Sequence, residues 1–402
     1  MARARDGEQL GGALECAERD RVGERESLAR SDHAARVASR PMPVPLFATS
    51  LDRYEARLGE RLSAVVASRQ FILGPEVEAF EAEFAAFLGV AHCVGVGNGT
   101  DALAIALRSL GVRPEDDVVV PSFTFYATAE AVVQVGARPV FCDVDPDTFC
   151  VTADTVAAAL TPRTTAIVPV HLFGNVAPVE ELRALGPPVL EDAAQAAGAR
   201  VGGRRAGALG HAATFSFYPS KNLPCLGDGG AIVTDDPAVA GQARILRFHG
   251  SGDKRTFTEV GYNSRLDSLQ AAALRLLLPE LDAWNDARRA VATAYEEEGL
   301  GELVALPRPG PGVEHAYHLF AVRHENPDAL QAGLRNRGVS AAGYYRRPVH
   351  GQPAMAPFLP AAGLHLPGTE RAARENLALP MGPELTREQV VEVVAACASG
   401  ST

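Results

Sequence analysis

The chain has 402 residues, 47% hydrophobic and 22% charged, a balance that fits a folded enzyme of two or three domains and excludes the fibrous and disordered classes. Its formal charge of −11 argues against a nucleic-acid partner held through phosphate contacts, and no apolar run approaches the ~18 residues that a membrane span needs. Of the 38 basic residues only two are lysines, Lys221 and Lys254. A guanidinium cannot serve as a deprotonatable amine, so a chain that uses Arg almost everywhere keeps lysine where amine chemistry is needed.

In chain order, residues 1 to about 40 carry eight Arg, eight Asp or Glu and only five Leu or Val. So few large apolar residues cannot form a core, and the segment 1–44 is expected to be a disordered extension. It lacks the apolar stretch of a secretory signal, its acids argue against a transit peptide, and Met42 is a candidate start. A helical pattern over residues 51–69 leads into a second helix in which Val77, Phe80, Phe84 and Phe87 recur at three- and four-residue steps. Short apolar runs then alternate with helical patterns. Strands are predicted at 93–96, 118–120, 139–143, 166–170, 188–191, 214–218 and 231–234, and helices between them at 101–110 and 126–135. That rhythm predicts an α/β fold with a mainly parallel sheet covered on both faces. One long helix is expected over 264–289, then a Pro/Gly-rich loop at 306–312. Beyond it come an extended segment at 317–322 and helices at 328–337 and 387–396. The predicted organisation is a large domain over 45–285 and a smaller α+β domain over 286–402. The six scattered cysteines show no spacing of a zinc site, so reduced thiols and no metal are expected.

Ligands of open α/β sheets bind at the carboxyl ends of the strands. Three such places carry polar residues. Gly97-Asn98-Gly99-Thr100-Asp101 forms a glycine turn into a helix, whose first amides and the Thr100 hydroxyl suit a phosphate. It is neither a dinucleotide fingerprint nor a P-loop. The strand ending in Glu191-Asp192 offers two carboxylates, either of which can face a ligand or cap a helix. Thr214-Phe215-Ser216-Phe217-Tyr218 leads directly to Lys221, whose amine is lowered in pKa if it lies in an apolar cleft, and can then form a Schiff base. A lysine, an acid and a phosphate cradle in one crevice fit pyridoxal phosphate.

Seven strings, among them Gly97-Asn98-Gly99-Thr100-Asp101-Ala102-Leu103, Pro169-Val170-His171-Leu172-Phe173-Gly174, Glu191-Asp192-Ala193-Ala194-Gln195-Ala196 and Gly261-Tyr262-Asn263-Ser264-Arg265-Leu266-Asp267, resemble the DegT/DnrJ/StrS-type sugar aminotransferases. The resemblance runs in order from about residue 70 to the C-terminus. It implies a fold type I pyridoxal-phosphate enzyme, working in the cytoplasm as a homodimer with active sites at the subunit interface. Carried over by position, it implies Lys221 as the catalytic lysine that holds the cofactor, and Asp192 as the partner of its ring nitrogen. Gln195 is implied near the phenolic oxygen and Phe125 on the ring face, with Phe123 as the competing stacker. Gly99, Thr100 and Ser216 are implied at the phosphate, joined by Asn263 from the other subunit. His171 receives no catalytic role. Near the substrate, Tyr345 and His350 are candidates, although the family's usual Pro after the Tyr is Arg346 here; Arg346 and Arg347 suit a diphosphate. The implied reaction moves an amino group from an amino acid, L-glutamate, to the keto group of a nucleotide-diphosphate-linked keto-deoxysugar. The alternatives are a keto-inositol acceptor, a sugar dehydratase of the same family, which would carry His in place of Lys221, and a catalytically silent regulatory or scaffold relative.

Overall fold

A computed structural model describes residues 43–400. Of the extension expected over residues 1–44, residues 1–42, with the candidate start at Met42, lie outside the described residues. Val44 is buried and pairs with Val339.

Seven strands build the main sheet: β1 (His92–Val96), β2 (Asp117–Pro121), β3 (Arg138–Cys142), β4 (Thr164–Ile167), β5 (Leu190–Asp192), β6 (Ala212–Ser216) and β7 (Gly230–Thr234). They pair as β1-β7-β6-β5 and β3-β2-β4. Parallel bridges Ile167↔Val189 and Val170↔Asp192 join the two sets. β7 runs antiparallel to β1 and β6, while the β5–β6, β2–β3 and β2–β4 pairs are parallel. The mainly parallel sheet predicted from the alternation is therefore present. β2, read as Asp-Val-Val-Val-Pro, is buried at every position, as a strand covered on both faces must be.

Helices α1 (Glu55–Ser68) and α2 (Pro75–Leu88) precede the sheet, and α2 buries the predicted Val77, Phe80 and Phe84. Phe84 meets Phe215 of β6 edge-on, their ring centres 5.0 Å apart. α3 (Gly99–Ser109) follows β1 and is apolar all round from Ala102 to Leu107, a stretch that lies wholly in the core. α4 (Ala127–Gln134) follows β2.

The long helix expected over 264–289 is not continuous α-helix. α5 (Ser268–Leu277) starts later, a 3₁₀ turn at Leu278–Glu280 holds Pro279, and α6 (Leu281–Glu297) carries on past the expected end. Proline has no N–H and its ring crowds the preceding turn, so it breaks the α-helical ladder at this point. β8 (Phe320–Arg323), α7 (Pro327–Asn336), β9 (Asn376–Leu379) and α8 (Arg387–Gly400) complete the chain, with β8 antiparallel to β9. Around them a second core gathers Tyr295, Phe320, Leu330, Leu377 and Val390 together with Val44.

Candidate active site

The carboxyl ends of β1, β2, β5 and β6 converge on a cleft of about 860 Å³. Its wall after β1 is the first turn of α3. The Asn98 side chain caps that helix by accepting the Asp101 N–H at 2.8 Å, and Gly99 and Thr100, the first helical residues, line the cleft. Helix N-termini present unpaired N–H groups and a positive dipole end, which together attract anions. A Cβ on Gly99 would lie 2.8 Å from the Ser216 Cβ, so only glycine lets β6 bring Ser216 against this helix terminus.

Side chains of successive strand residues face opposite ways, and on β5 this separates the two carboxylates. Glu191 is fully buried away from the cleft. It accepts the N–H groups of Gly207, Leu209 and Gly210 and pairs with His171 Nε2 at 2.8 Å. The Ala177 N–H donates to His171 Nδ1, which leaves Nε2 as the donor to Glu191. Burial alone would raise the Glu191 pKa, but these hydrogen bonds outweigh it and hold the group below its usual value. His171 thus supports the strand, its own N–H donating to the Asp192 carbonyl.

Asp192 lines the cleft. Its Oδ2 accepts from Thr128 Oγ1 at 2.9 Å and its Oδ1 from the Ala194 N–H at 3.2 Å. Burial nevertheless raises its pKa, against the opposing pull of these donors and of Lys221. Lys221 reaches the same cleft from the loop after β6, and burial pushes its pKa down to about 8 despite the attraction of Asp192. Lys254 lies elsewhere, its ammonium 4.8 Å from the Phe248 ring centre.

The remaining sequence candidates divide. Gln195 lines the cleft, accepting the Phe173 N–H at 2.8 Å and donating to the Tyr345 hydroxyl at 3.2 Å. Phe125 is 56% exposed on the cleft wall, 5.9 Å from the Tyr345 ring, whereas Phe123 is buried against Phe149 and Phe173. Tyr345 lines both the main cleft and a side pocket of about 270 Å³ that Arg346 and Arg347 also line. His350 lines neither. Its Nδ1 lies 2.5 Å from Ser122 Oγ and its ring packs against Phe141. Asn263 does not line the cleft, and its side chain accepts from Arg265. Thr128 and His318 line the cleft and escaped the sequence reading. Thr128 stands three residues after Phe125, about one helical turn, a spacing that could have drawn notice; His318 carries no comparable signal.

Such a cleft suits a ligand with an anionic group at one end and a protonated ring nitrogen at the other. The Gly99 cradle answers the first demand, and Asp192, a desolvated carboxyl held at the cleft wall, answers the second. Lys221 adds an amine for an electrophilic carbon between them. Pyridoxal phosphate has all three features, which sets the chain among the fold type I aminotransferases that use it.

Comparison with known proteins narrows the class. Residues 53–398 match the DegT/DnrJ/EryC1/StrS aminotransferase family. A dTDP-3-amino-3,4,6-trideoxy-alpha-D-glucose transaminase of Streptomyces venezuelae is 46% identical over 85% of this chain and 92% of its own length. A pleiotropic regulatory protein of Geobacillus stearothermophilus is likewise 46% identical, over 83% of this chain and 92% of its own. The crystal structure of S. venezuelae DesV in complex with a ketimine intermediate superposes with a TM-score of 0.86 at 44% identity, covering 90% of this chain and 99% of that one. The chain belongs to the DegT/DnrJ/EryC1/StrS family of sugar aminotransferases.

Proposed function

We propose that this protein transfers the amino group of an amino acid, L-glutamate, to the keto group of a nucleotide-diphosphate-linked keto-deoxysugar, with Lys221 as its catalytic residue. The observation that carries the reading is the buried Lys221 amine sharing one cleft with the buried Asp192 carboxyl, in a chain of this family. The name of the S. venezuelae relative, a dTDP-aminosugar transaminase, supports the acceptor class. Such substrates are cytoplasmic metabolites, and no helix among the described residues is long and apolar enough to cross a membrane.

Pyridoxal phosphate supplies an electron-withdrawing ring that stabilises negative charge at the carbon losing its proton. The first amides of α3 with Thr100 and Ser216 would hold its phosphate, and Asp192 would accept a hydrogen bond from its ring nitrogen. Gln195 and Tyr345, hydrogen-bonded to each other on the cleft wall, would lie toward its phenolic oxygen, and Phe125 would cover one ring face. Lys221 Nζ, neutral in about a tenth of molecules at pH 7 and in about half near pH 8, removes the proton from the donor's α-carbon and later returns one to the acceptor's carbon. Tyr345, Arg346 and Arg347 border the acceptor's approach; His350 acts on it through Ser122 and the 349–351 turn rather than from the cleft wall.

Two further features belong to this proposal. A homodimer is supported by Phe71, Ile72, Leu226, Phe257 and Val260, apolar side chains left exposed in the single chain, and by Asn263, which becomes useful only to a neighbouring subunit's cleft. A division into large and small domains near residue 285 is supported by the separate core around β8 and β9, with α6 running through the boundary.

Purified holoprotein tests the reading directly. The wild type should be yellow and should bleach on adding L-glutamate, then regain colour with the keto acceptor. Lys221→Ala should turn over neither substrate. Colour that persists with every amino acid tried would overturn the proposal. Nucleotide-linked amino sugars, run in the reverse half-reaction, identify the acceptor.

A further inference from the structure

Two threonine hydroxyls on the cleft wall have no task in the reaction described above. Thr124 lies in the loop after β2 and Thr128 in the first turn of α4, and both line the cleft although they are only 2% and 1% exposed. Their Oγ1 atoms stand 3.2 Å apart, and Thr128 Oγ1 stands 2.9 Å from Asp192 Oδ2. The Thr128 N–H donates to the Phe125 carbonyl at 3.3 Å and so closes the turn that brings the two side chains together. A hydroxyl is costly to bury unless it is hydrogen-bonded, and here each finds its partner on the same wall.

The direction of this chain follows from its end. An ionised carboxylate only accepts, and a threonine hydroxyl has one proton and two lone pairs. Thr128 therefore gives its proton to Asp192 and is left an acceptor toward Thr124, which gives its own proton to Thr128. In a buried setting each donor polarises the next, so the hydroxyl that meets Asp192 is a stronger donor than it would be alone. The other carboxyl oxygen, Oδ1, accepts the Ala194 N–H at 3.2 Å. A fixed donor on each oxygen holds the carboxyl against rotation and still leaves lone pairs for a third donor.

The charge of Asp192 depends on the same contact. Burial favours the neutral carboxyl and raises its pKa; of the groups that oppose burial, the Thr128 hydroxyl is the strongest, ahead of the Ala194 amide, Lys221 and His171. Without this donor the carboxyl would take up a proton more readily, and it would lose the charge that keeps a ring nitrogen protonated.

We infer that Thr124 and Thr128 form a one-way hydrogen-bond relay that aims the Asp192 carboxylate at the cofactor's ring nitrogen and keeps it charged, with Thr128 as the positioning residue. The inference rests on the assignment of Asp192 to that nitrogen, and both threonines act on the reaction through Asp192.

The test loads the protein with pyridoxal phosphate isotopically labelled at the ring nitrogen and reads that atom by solid-state NMR, since its chemical shift reports whether it carries a proton. The wild type should show a protonated nitrogen at neutral pH. Thr128→Val, nearly the same in shape, should move the signal toward the unprotonated form. Its single-turnover rate with L-glutamate should fall by about 10- to 100-fold, the worth of a hydrogen bond to a charged group, while the half-saturating concentration of L-glutamate stays near that of the wild type. Thr128→Ser restores the donor and should recover most of both the signal and the rate. Thr124→Val removes only the hydroxyl behind Thr128 and should move both readouts the same way by less. It keeps the test decisive even where Thr128→Val does not fold, because an unmoved signal in it would break the relay. A wild-type ring signal in Thr128→Val, or a loss that Thr128→Ser does not recover, would mean that Thr128 only fills space, and the inference would fall. If Thr128→Val shifts the ring signal but the wild type transaminates no amino acid, the relay stands and the proposed reaction fails.

Discussion

Lys221 shows how much a single environment changes a residue. In water its amine would be almost wholly protonated at neutral pH, but enclosure moves its pKa to about 8. Capture of pyridoxal phosphate by apoprotein requires the neutral amine. Its rate should therefore climb about tenfold per pH unit below pH 8 and level off above it, as stopped-flow absorbance would record. A rate that keeps rising to pH 10 would mean that the lysine is not enclosed in solution. Asp192 is the complementary case. Its burial raises the carboxyl pKa, and a protonated ring nitrogen would draw it back into the ionised form. Asp192→Asn keeps the shape and the Thr128 contact but loses the charge. The single-turnover rate with L-glutamate should fall by about 10- to 100-fold or more, the worth of a charge-assisted hydrogen bond.

Among the elements, α3 matters most to the site, since it is at once core and the proposed phosphate cradle. Its buried face from Ala102 to Leu107 anchors it against the sheet, and the Asn98 cap sets where its first turn begins. Asn98→Ala removes an acceptor for the Asp101 N–H and should cost about 1 kcal/mol in urea unfolding. Cofactor affinity should weaken with it, because the amides of Gly99 and Thr100 lose their fixed start. Unchanged affinity would separate the cap from the cradle. The α5–α6 region shows where periodicity misleads. Leu266, Ala271, Leu274, Leu278 and Leu281 read as one face of one helix, and all five are buried. The apolar stripe survives the 3₁₀ turn at Pro279, so the pattern alone did not reveal the break.

At the scale of the whole molecule, the single chain leaves Asn263 outside its own cleft and a set of apolar side chains in solvent. Both are accounted for if a second copy lends Asn263 to the cofactor phosphate. Lys221→Ala and Asn263→Ala should each be poorly active alone. Unfolded and refolded together, they should recover about a quarter of wild-type activity, because half the dimers are mixed and each carries one intact site. Sedimentation should show a dimer throughout. No recovery on mixing would place both residues in the same subunit's site or deny the dimer.

Much of this was legible from the sequence. The alternation of apolar runs and helical periods determined the class of fold, since a strand buried on both faces must be continuously apolar. The turn at Gly97–Asp101, the two acids at 191 and 192 and the scarce lysine at 221 marked the site, because each is a local string whose meaning does not depend on distant residues. The tertiary structure alone decided what depends on enclosure and on pairing across the chain. It turned Asp192 rather than Glu191 to the cleft, set Phe125 on its wall and Phe123 in the core, and drew His350 to Ser122. It also brought Thr128 against Asp192 and His318 into the cleft with Lys221 from far along the chain. Desolvation is the physical reason. The amine, carboxyl and imidazole acquire their chemistry from what packs around them, and no stretch of sequence contains its own surroundings.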